Sequence, residues 1–155
     1  MAREIERKFL LASDEWRAEA DAGAGMRQGY LAAEAERSVR VRIVAGRATM
    51  TIKGAAEGLV RLEFEYAIPL ADAAEMLDRL ALRPCIEKTR FLVPCGGHVW
   101  EIDVFEGDNA GLIVAEIELN EPDEAFDRPS WLGDEVTDDP RYLNASLARH
   151  PYSCW

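Results

Sequence analysis

Apolar and polar residues alternate along most of this chain. Glu4, Glu6 and Lys8 alternate with Ile5, Arg7 and Phe9, and Val39, Val41 and Ile43 alternate with Arg40 and Arg42. Met50 and Ile52 alternate with Thr49, Thr51 and Lys53; Leu62, Phe64 and Tyr66 with Arg61, Glu63 and Glu65. Further on, Trp100, Ile102 and Val104 alternate with Glu101, Asp103 and Phe105, and Ala115, Ile117 and Leu119 with Glu116 and Glu118. Successive side chains of a strand leave opposite faces, so a period of two predicts strands. With 3–11 as the first of these, and 26–32 and 86–93 added, eight strands are expected.

Helices are fewer. Ser13 can cap a short helix through Glu15, Trp16, Arg17 and Ala18; Pro69 opens 70–81, where Ala73, Leu77 and Leu80 share one face; Asp139 and Pro140 start a last helix through Leu143 and Leu147. Gly46, between Val44 and Ala48, marks a tight hairpin. The loop 54–58 and the acidic stretch 120–127 are the only linker-like segments, and no internal repeat is present. Mostly antiparallel strands with few helices predict an α+β fold built on an eight-stranded antiparallel β-barrel, because closure removes exposed edges. A chain of 155 residues suits one such domain over 1–155.

A formal charge of −11 argues against nucleic acid as a partner, so an anionic ligand would need a local basic site. The first segment is too charged for a signal peptide, no stretch is long enough for a membrane helix, and Cys85, Cys95 and Cys154 lack metal or disulfide spacing. A cytoplasmic protein with free thiols is expected, without membrane attachment.

The charged strand positions carry the functional signal. The bases are Lys8, Arg40, Arg42, Lys53, Arg61, Lys88 and Arg90; the acids are Glu4, Glu6, Glu63, Glu65, Glu101, Asp103, Glu116 and Glu118. An ordinary barrel would turn these charges to water around an apolar centre. Their spread over at least six strands, opposite faces rich in Val, Ile, Phe and Trp, favours the inverse: a charged interior wrapped by apolar cover. Many buried ions are costly unless paired, hydrated or bound to ligands. Carboxylates from several strands suit Mg²⁺ or Mn²⁺, while Arg and Lys suit phosphate oxygens. Such a cavity could activate water on a metal for in-line attack on a terminal phosphorus, with no covalent nucleophile.

Glu4-Ile5-Glu6-Arg7-Lys8 resembles the Glu-x-Glu-x-Lys signature of the CYTH superfamily, the triphosphate tunnel metalloenzymes. In order there follow Arg40-x-Arg42, Lys53, Arg61-x-Glu63-x-Glu65, Lys88-x-Arg90, Asp103, Glu116-x-Glu118 and a closing stretch 136–148 similar to short bacterial members. The resemblance implies an eight-stranded tunnel with a charged interior, lined for phosphate by Lys8, Arg40, Arg42, Lys53, Lys88 and Arg90. It implies Glu4, Glu6, Asp103, Glu116 and Glu118 as metal ligands, and Glu63 and Glu65 as an acidic wall that orients the bases. Lys8 joins Glu4, Glu6, Glu116 and Glu118 in the expected catalytic set.

Arg61 is expected either as a tunnel base or as a partner of Glu63 and Glu65, and Tyr30 either near a lid or in the core. His98 and His150 read as surface or hairpin residues, Cys85 and Cys95 as thiols that could meet across a strand pair, and Trp16, Trp131 and Trp155 as packing residues. The expected activity is metal-dependent hydrolysis of inorganic triphosphate. Thiamine triphosphate hydrolysis, cyclisation of ATP and a non-catalytic polyphosphate-binding module stand as alternatives, and a homodimer is left open.

Overall fold

The computed structural model describes residues 3–155, and the expected barrel is present. Its strands are β1 (Arg3–Leu11), β2 (Ala24–Ala33), β3 (Arg37–Val44), β4 (Arg47–Gly54), β5 (Val60–Ile68), β6 (Ile86–Cys95), β7 (His98–Phe105) and β8 (Ile113–Glu118). They run β5-β4-β3-β2-β6-β7-β8-β1. Antiparallel pairing of Arg3, Glu4 and Ile5 with Leu62, Arg61 and Val60 joins β1 back to β5 and closes the ring. Where β5 leaves the edge of β1, a short β9 (Leu132–Glu135) takes it over opposite Phe9 and Leu11.

Register decides which face is inside, because residues directly opposite in a ladder share a face. Arg40 lies opposite Thr51, and Thr51 opposite Glu65; Lys53 opposite Glu63; Arg90 opposite Asp103; Glu101 opposite Glu116; Lys8 opposite Glu116; Glu6 opposite Glu118. All of these point inward. The alternate positions point outward and form two apolar layers. Ile5, Phe9, Val93, Trp100, Ile102, Ala115 and Ile117 lie under Trp16, Trp131 and Phe126; Val41 and Ala48 lie under Ala73 and Leu77 of α1 (Leu70–Arg79).

The cover differs from expectation in two ways. The larger outer layer is roofed by the short helix expected around Glu15–Ala18, which is a 3₁₀ turn over Glu15–Glu19, and also by the segment carrying Phe126 and Trp131, part of which was expected as a linker. The Leu80 side chain does not join Ala73 and Leu77: the helix ends at Arg79 and Leu80 is 67% exposed. Outside β4 and β5, Ile52, Leu62, Phe64 and Tyr66 remain uncovered.

The expected last helix is broken. A 3₁₀ turn Pro140–Tyr142 is followed by an extended Leu143 and then a single turn, α2 (Asn144–Leu147). The reason is local competition for an acceptor. The Tyr142 carbonyl, which a continuous helix would pair with the amide four residues on, instead accepts a hydrogen bond from Lys8 Nζ at 2.9 Å. This break lets Tyr142, Leu147 and Ala148 turn into the barrel, where they pack with inward-facing Tyr30, Ile86, Phe105 and Val114. The barrel interior is therefore charged in one part and apolar in another, with the C-terminal segment at the junction.

Candidate active site

Thirteen of the expected charged residues line one cavity of about 410 Å³: Glu4, Glu6, Lys8, Arg40, Arg42, Lys53, Arg61, Glu63, Glu65, Arg90, Glu101, Glu116 and Glu118. The C-terminal segment supplies part of the wall through Pro140, Leu143 and Asn144. Lys88 and Asp103 are absent from the lining. Both side chains are wholly buried behind it, with Lys88 Nζ donating to Asp103 Oδ2 at 2.7 Å.

Asp103 holds a different position from the other acids. Its Oδ1 accepts from Arg90 Nε at 2.7 Å, while its Oδ2 accepts from Lys88 Nζ and from Arg90 Nη2 at 2.9 Å. Both oxygens are committed to bases. Burial opposes its ionisation, but Lys88 and Arg90 outweigh burial and hold the carboxyl below its usual range. The expected ligand thus sits where it braces two cations, out of reach of the cavity.

The lining is a set of interleaved ion pairs. Lys53 Nζ reaches both oxygens of Glu4, at 2.9 and 2.8 Å, and Glu63 at 3.4 Å. Lys8 lies 3.3 Å from Glu116, and Arg90 lies 3.8 Å from Glu116 while also donating to Glu101. Arg40 donates to the Thr51 hydroxyl at 3.0 Å, and that hydroxyl donates to Glu65 at 3.0 Å. Arg40 Nε is buried with no protein partner, a donor available to an anion. Arg61 faces the cavity but donates to the Gly54 carbonyl at 3.0 Å, so it is not the ion-pair partner of Glu63 or Glu65.

These contacts polarise the titrations. Glu6 is pushed up to about 8, first by burial and then by Glu116 and Glu4; among the described residues it has no cation within ion-pair distance. For Glu116 burial acts upward, yet Lys8 and Arg90 prevail and keep it far below the carboxylate range. Burial likewise opposes charge on Lys8 and Lys53, and the surrounding carboxylates reverse that and raise both. Lys88 is the exception. Complete burial lowers it to about 7 despite Asp103, with Arg90 and Arg42 adding repulsion.

A buried amide, Gln28, a half-buried one, Asn144, and a buried hydroxyl, Thr51, complete the site and carried no sequence signal of their own. Gln28 accepts from Arg42 Nε at 2.8 Å, Asn144 accepts from Lys88 at 3.1 Å, and Thr51 joins Arg40 to Glu65. The inward parity of Gln28, two before Tyr30 on β2, was its only trace. Tyr30 itself is both a core aromatic and a wall residue. Elsewhere the three cysteines are free, with Cys85 donating toward the Leu77 carbonyl instead of meeting Cys95, and His98 pairs with Glu124.

A closed antiparallel barrel whose inner wall alternates acids and bases defines a class of anion-binding tunnel proteins. The chain belongs to the CYTH family: the CYTH domain matches residues 2–152. It is 45% identical over 152 residues to an inorganic triphosphatase of Acetivibrio thermocellus, covering 98% of this chain and 97% of the relative. A second inorganic triphosphatase, from Nitrosomonas europaea, is 39% identical over 153 residues, covering 94% and 96%. Among solved structures, a crystal structure of an inorganic triphosphatase superposes with a TM-score of 0.66 at 33% identity, covering 96% of this chain and 95% of the other.

Proposed function

We propose that this protein hydrolyses inorganic triphosphate with the help of a divalent cation, inside the charged part of the barrel. The observation that carries the reading is the cavity itself: bases from five strands converge on a volume that fits a short phosphate chain, with carboxylates between them. Among the described residues its wall offers no Trp or Phe, and its Tyr30 ring is packed in the apolar cluster, so no aromatic side chain is free to stack on a nucleobase or thiazolium. The names of the two sequence relatives agree with that substrate.

In this reading Lys8, Arg40, Arg42, Lys53, Arg61 and Arg90 hold phosphate oxygens directly, with Lys88 reinforcing them from behind the wall. Glu63 and Glu65 aim Lys53 and Arg40. Asp103 orients Lys88 and Arg90 and is withdrawn from the ligand set. Glu4, Glu6, Glu116 and Glu118 would hold Mg²⁺ or Mn²⁺, for which carboxylate oxygens are the right donor type. Among the described residues no three acidic, His or Cys side chains are already gathered tightly enough to grip an ion. The ion pairs explain why: Lys53 and Lys8 occupy Glu4 and Glu116 until phosphate draws the lysines away. When bound, the cation supplies charge neutralisation and a water acidified toward hydroxide. The protein's part is alignment of the chain and exchange of counter-ions.

The test is phosphate release from inorganic triphosphate, ATP and thiamine triphosphate, each with Mg²⁺ or Mn²⁺. The expected result is the highest kcat/KM on inorganic triphosphate and none without metal. No release from any of the three ends the hydrolase reading, and cyclic AMP from ATP would reassign the tunnel to cyclisation.

A further inference from the structure

Two neutral amides, Gln28 behind the charged lining and Asn144 in the cavity wall, join cations from the two strands that flank β2. Arg42 on β3 donates through Nε to Gln28 Oε1 at 2.8 Å; Gln28 Nε2 donates to Asn144 Oδ1 at 3.1 Å; that same oxygen accepts from Lys88 Nζ at 3.1 Å. The chemistry of the ends fixes the direction of the chain. Arg and Lys only donate, so Gln28 must turn its oxygen to Arg42 and its nitrogen to Asn144, and Asn144 must turn its oxygen to both. Gln28 is 0% exposed, so a broken link there leaves a polar group without solvent.

The neutrality of the link matters. The other lining cations, apart from Arg61 and Arg149, which donate to backbone carbonyls, are each within ion-pair distance of a carboxylate, and a phosphate ligand must displace that carboxylate to use them. Arg42 has instead an amide oxygen as its side-chain partner, and burial with the neighbouring Arg40 and Arg90 lowers it to about 10. It is held in place without being neutralised. Asn144 also belongs to the C-terminal segment that accepts Lys8 through the Tyr142 carbonyl, so one wall element fixes lysines from β1 and β6.

We infer that Gln28 and Asn144 are positioning residues for triphosphate binding: a neutral relay, anchored on Lys88 behind the wall, that fixes Arg42 toward the phosphate chain while leaving its charge unspent. This rests on the reading of the cavity as a triphosphate site. It assigns the C-terminal segment a role in affinity beyond closing the barrel.

The experiment measures Kd for imidotriphosphate, a non-hydrolysable analogue, with Mg²⁺ by calorimetry on wild type, Gln28→Met, Asn144→Ala and the double variant, together with Tm. Each single change weakens binding about tenfold, and the double variant is no weaker than about tenfold because the two act as one unit. Asn144→Asp keeps both accepted hydrogen bonds but places a negative charge on the relay. It retains the wild-type Tm and still loses about tenfold in Kd, which separates this role from one in folding alone. Independent, multiplying losses in the double variant, or wild-type Kd in a folded single variant, overturn the relay. If Gln28→Met and Asn144→Ala fail to fold, wild-type Kd in Asn144→Asp overturns it. Wild type that binds the analogue but does not hydrolyse inorganic triphosphate removes the hydrolase reading and leaves the relay judged on Kd. Wild type that does not bind the analogue removes both.

Discussion

Glu6 carries the least compensated carboxyl in the cavity. Lys53 and Lys8 pair with Glu4 and Glu116, but Glu6 faces Glu118 across the ladder and keeps its proton to about pH 8. The sign of the stability effect follows from proton counts. Between the ordinary value of 4.5 and about 8, the unfolded chain has released this proton while the native state retains it, so native stability falls as pH rises through that window. Glu6→Gln removes the effect. In metal-free buffer the variant is expected to gain ~2 kcal/mol on wild type between about pH 4.5 and pH 9, a raw shift discounted for the water that reaches the cavity. In Tm this is roughly 6 °C. Thermal melts at both pH values check it, and a Tm difference independent of pH would show that Glu6 is ionised in the native cavity. At this scale the sequence disclosed the charged residues because each sits at alternate positions of a strand. It concealed Gln28 and Asn144, because an amide at an inward position has no charge to mark it. It put Asp103 inside the barrel without saying which bases claim its oxygens.

At the scale of elements, the β3–β4 hairpin shows how local chemistry and fold agree except at one residue. Ala45 and Gly46 both have positive φ, 51° and 72°, the backbone that a two-residue hairpin needs to match strand twist. Gly46 adopts it freely, whereas a Cβ at Ala45 makes it costly. Ala45→Asn, which favours the same conformation, is expected to stabilise the protein by about 0.5 to 1 kcal/mol with KM unchanged, since the turn lies away from the cavity wall. Denaturant midpoints test this, and a destabilised variant would mean that the turn relaxes on substitution. The alternation that announced six of the eight barrel strands is missing from β9. Leu-Gly-Asp-Glu over 132–135 is too short for a period, and Gly133 is needed because a Cβ there would stand 2.9 Å from the Leu10 carbonyl. The C-terminal helix was misjudged for a similar reason: its apolar spacing is real, but the Tyr142 carbonyl is diverted by a lysine 134 residues away, which no local pattern can register.

Over the whole molecule, the charge of −11 and the basic site are reconciled by location. The inward-facing seven bases and eight acids nearly balance, so the excess acidity lies outside the barrel, where it repels polyanions too large to enter. Inside, on the proposed reading, each ligand needs the other. Triphosphate alone would take Lys53 and Lys8 from Glu4 and Glu116 and leave bare carboxylates beside phosphate; a cation alone would compete with the same lysines for the same oxygens. Bound together, the anion satisfies the bases and the cation satisfies the acids, and no charge is stranded. Imidotriphosphate and Mg²⁺ should therefore raise Tm cooperatively, the joint shift exceeding the sum of the separate shifts. At about a hundredfold excess over Kd the pair contributes about 2.7 kcal/mol. Scanning calorimetry with each ligand alone and both together measures the coupling after correction for the complex that the two form in solution. Strictly additive shifts would mean that the acids and bases of the barrel do not exchange partners when it fills.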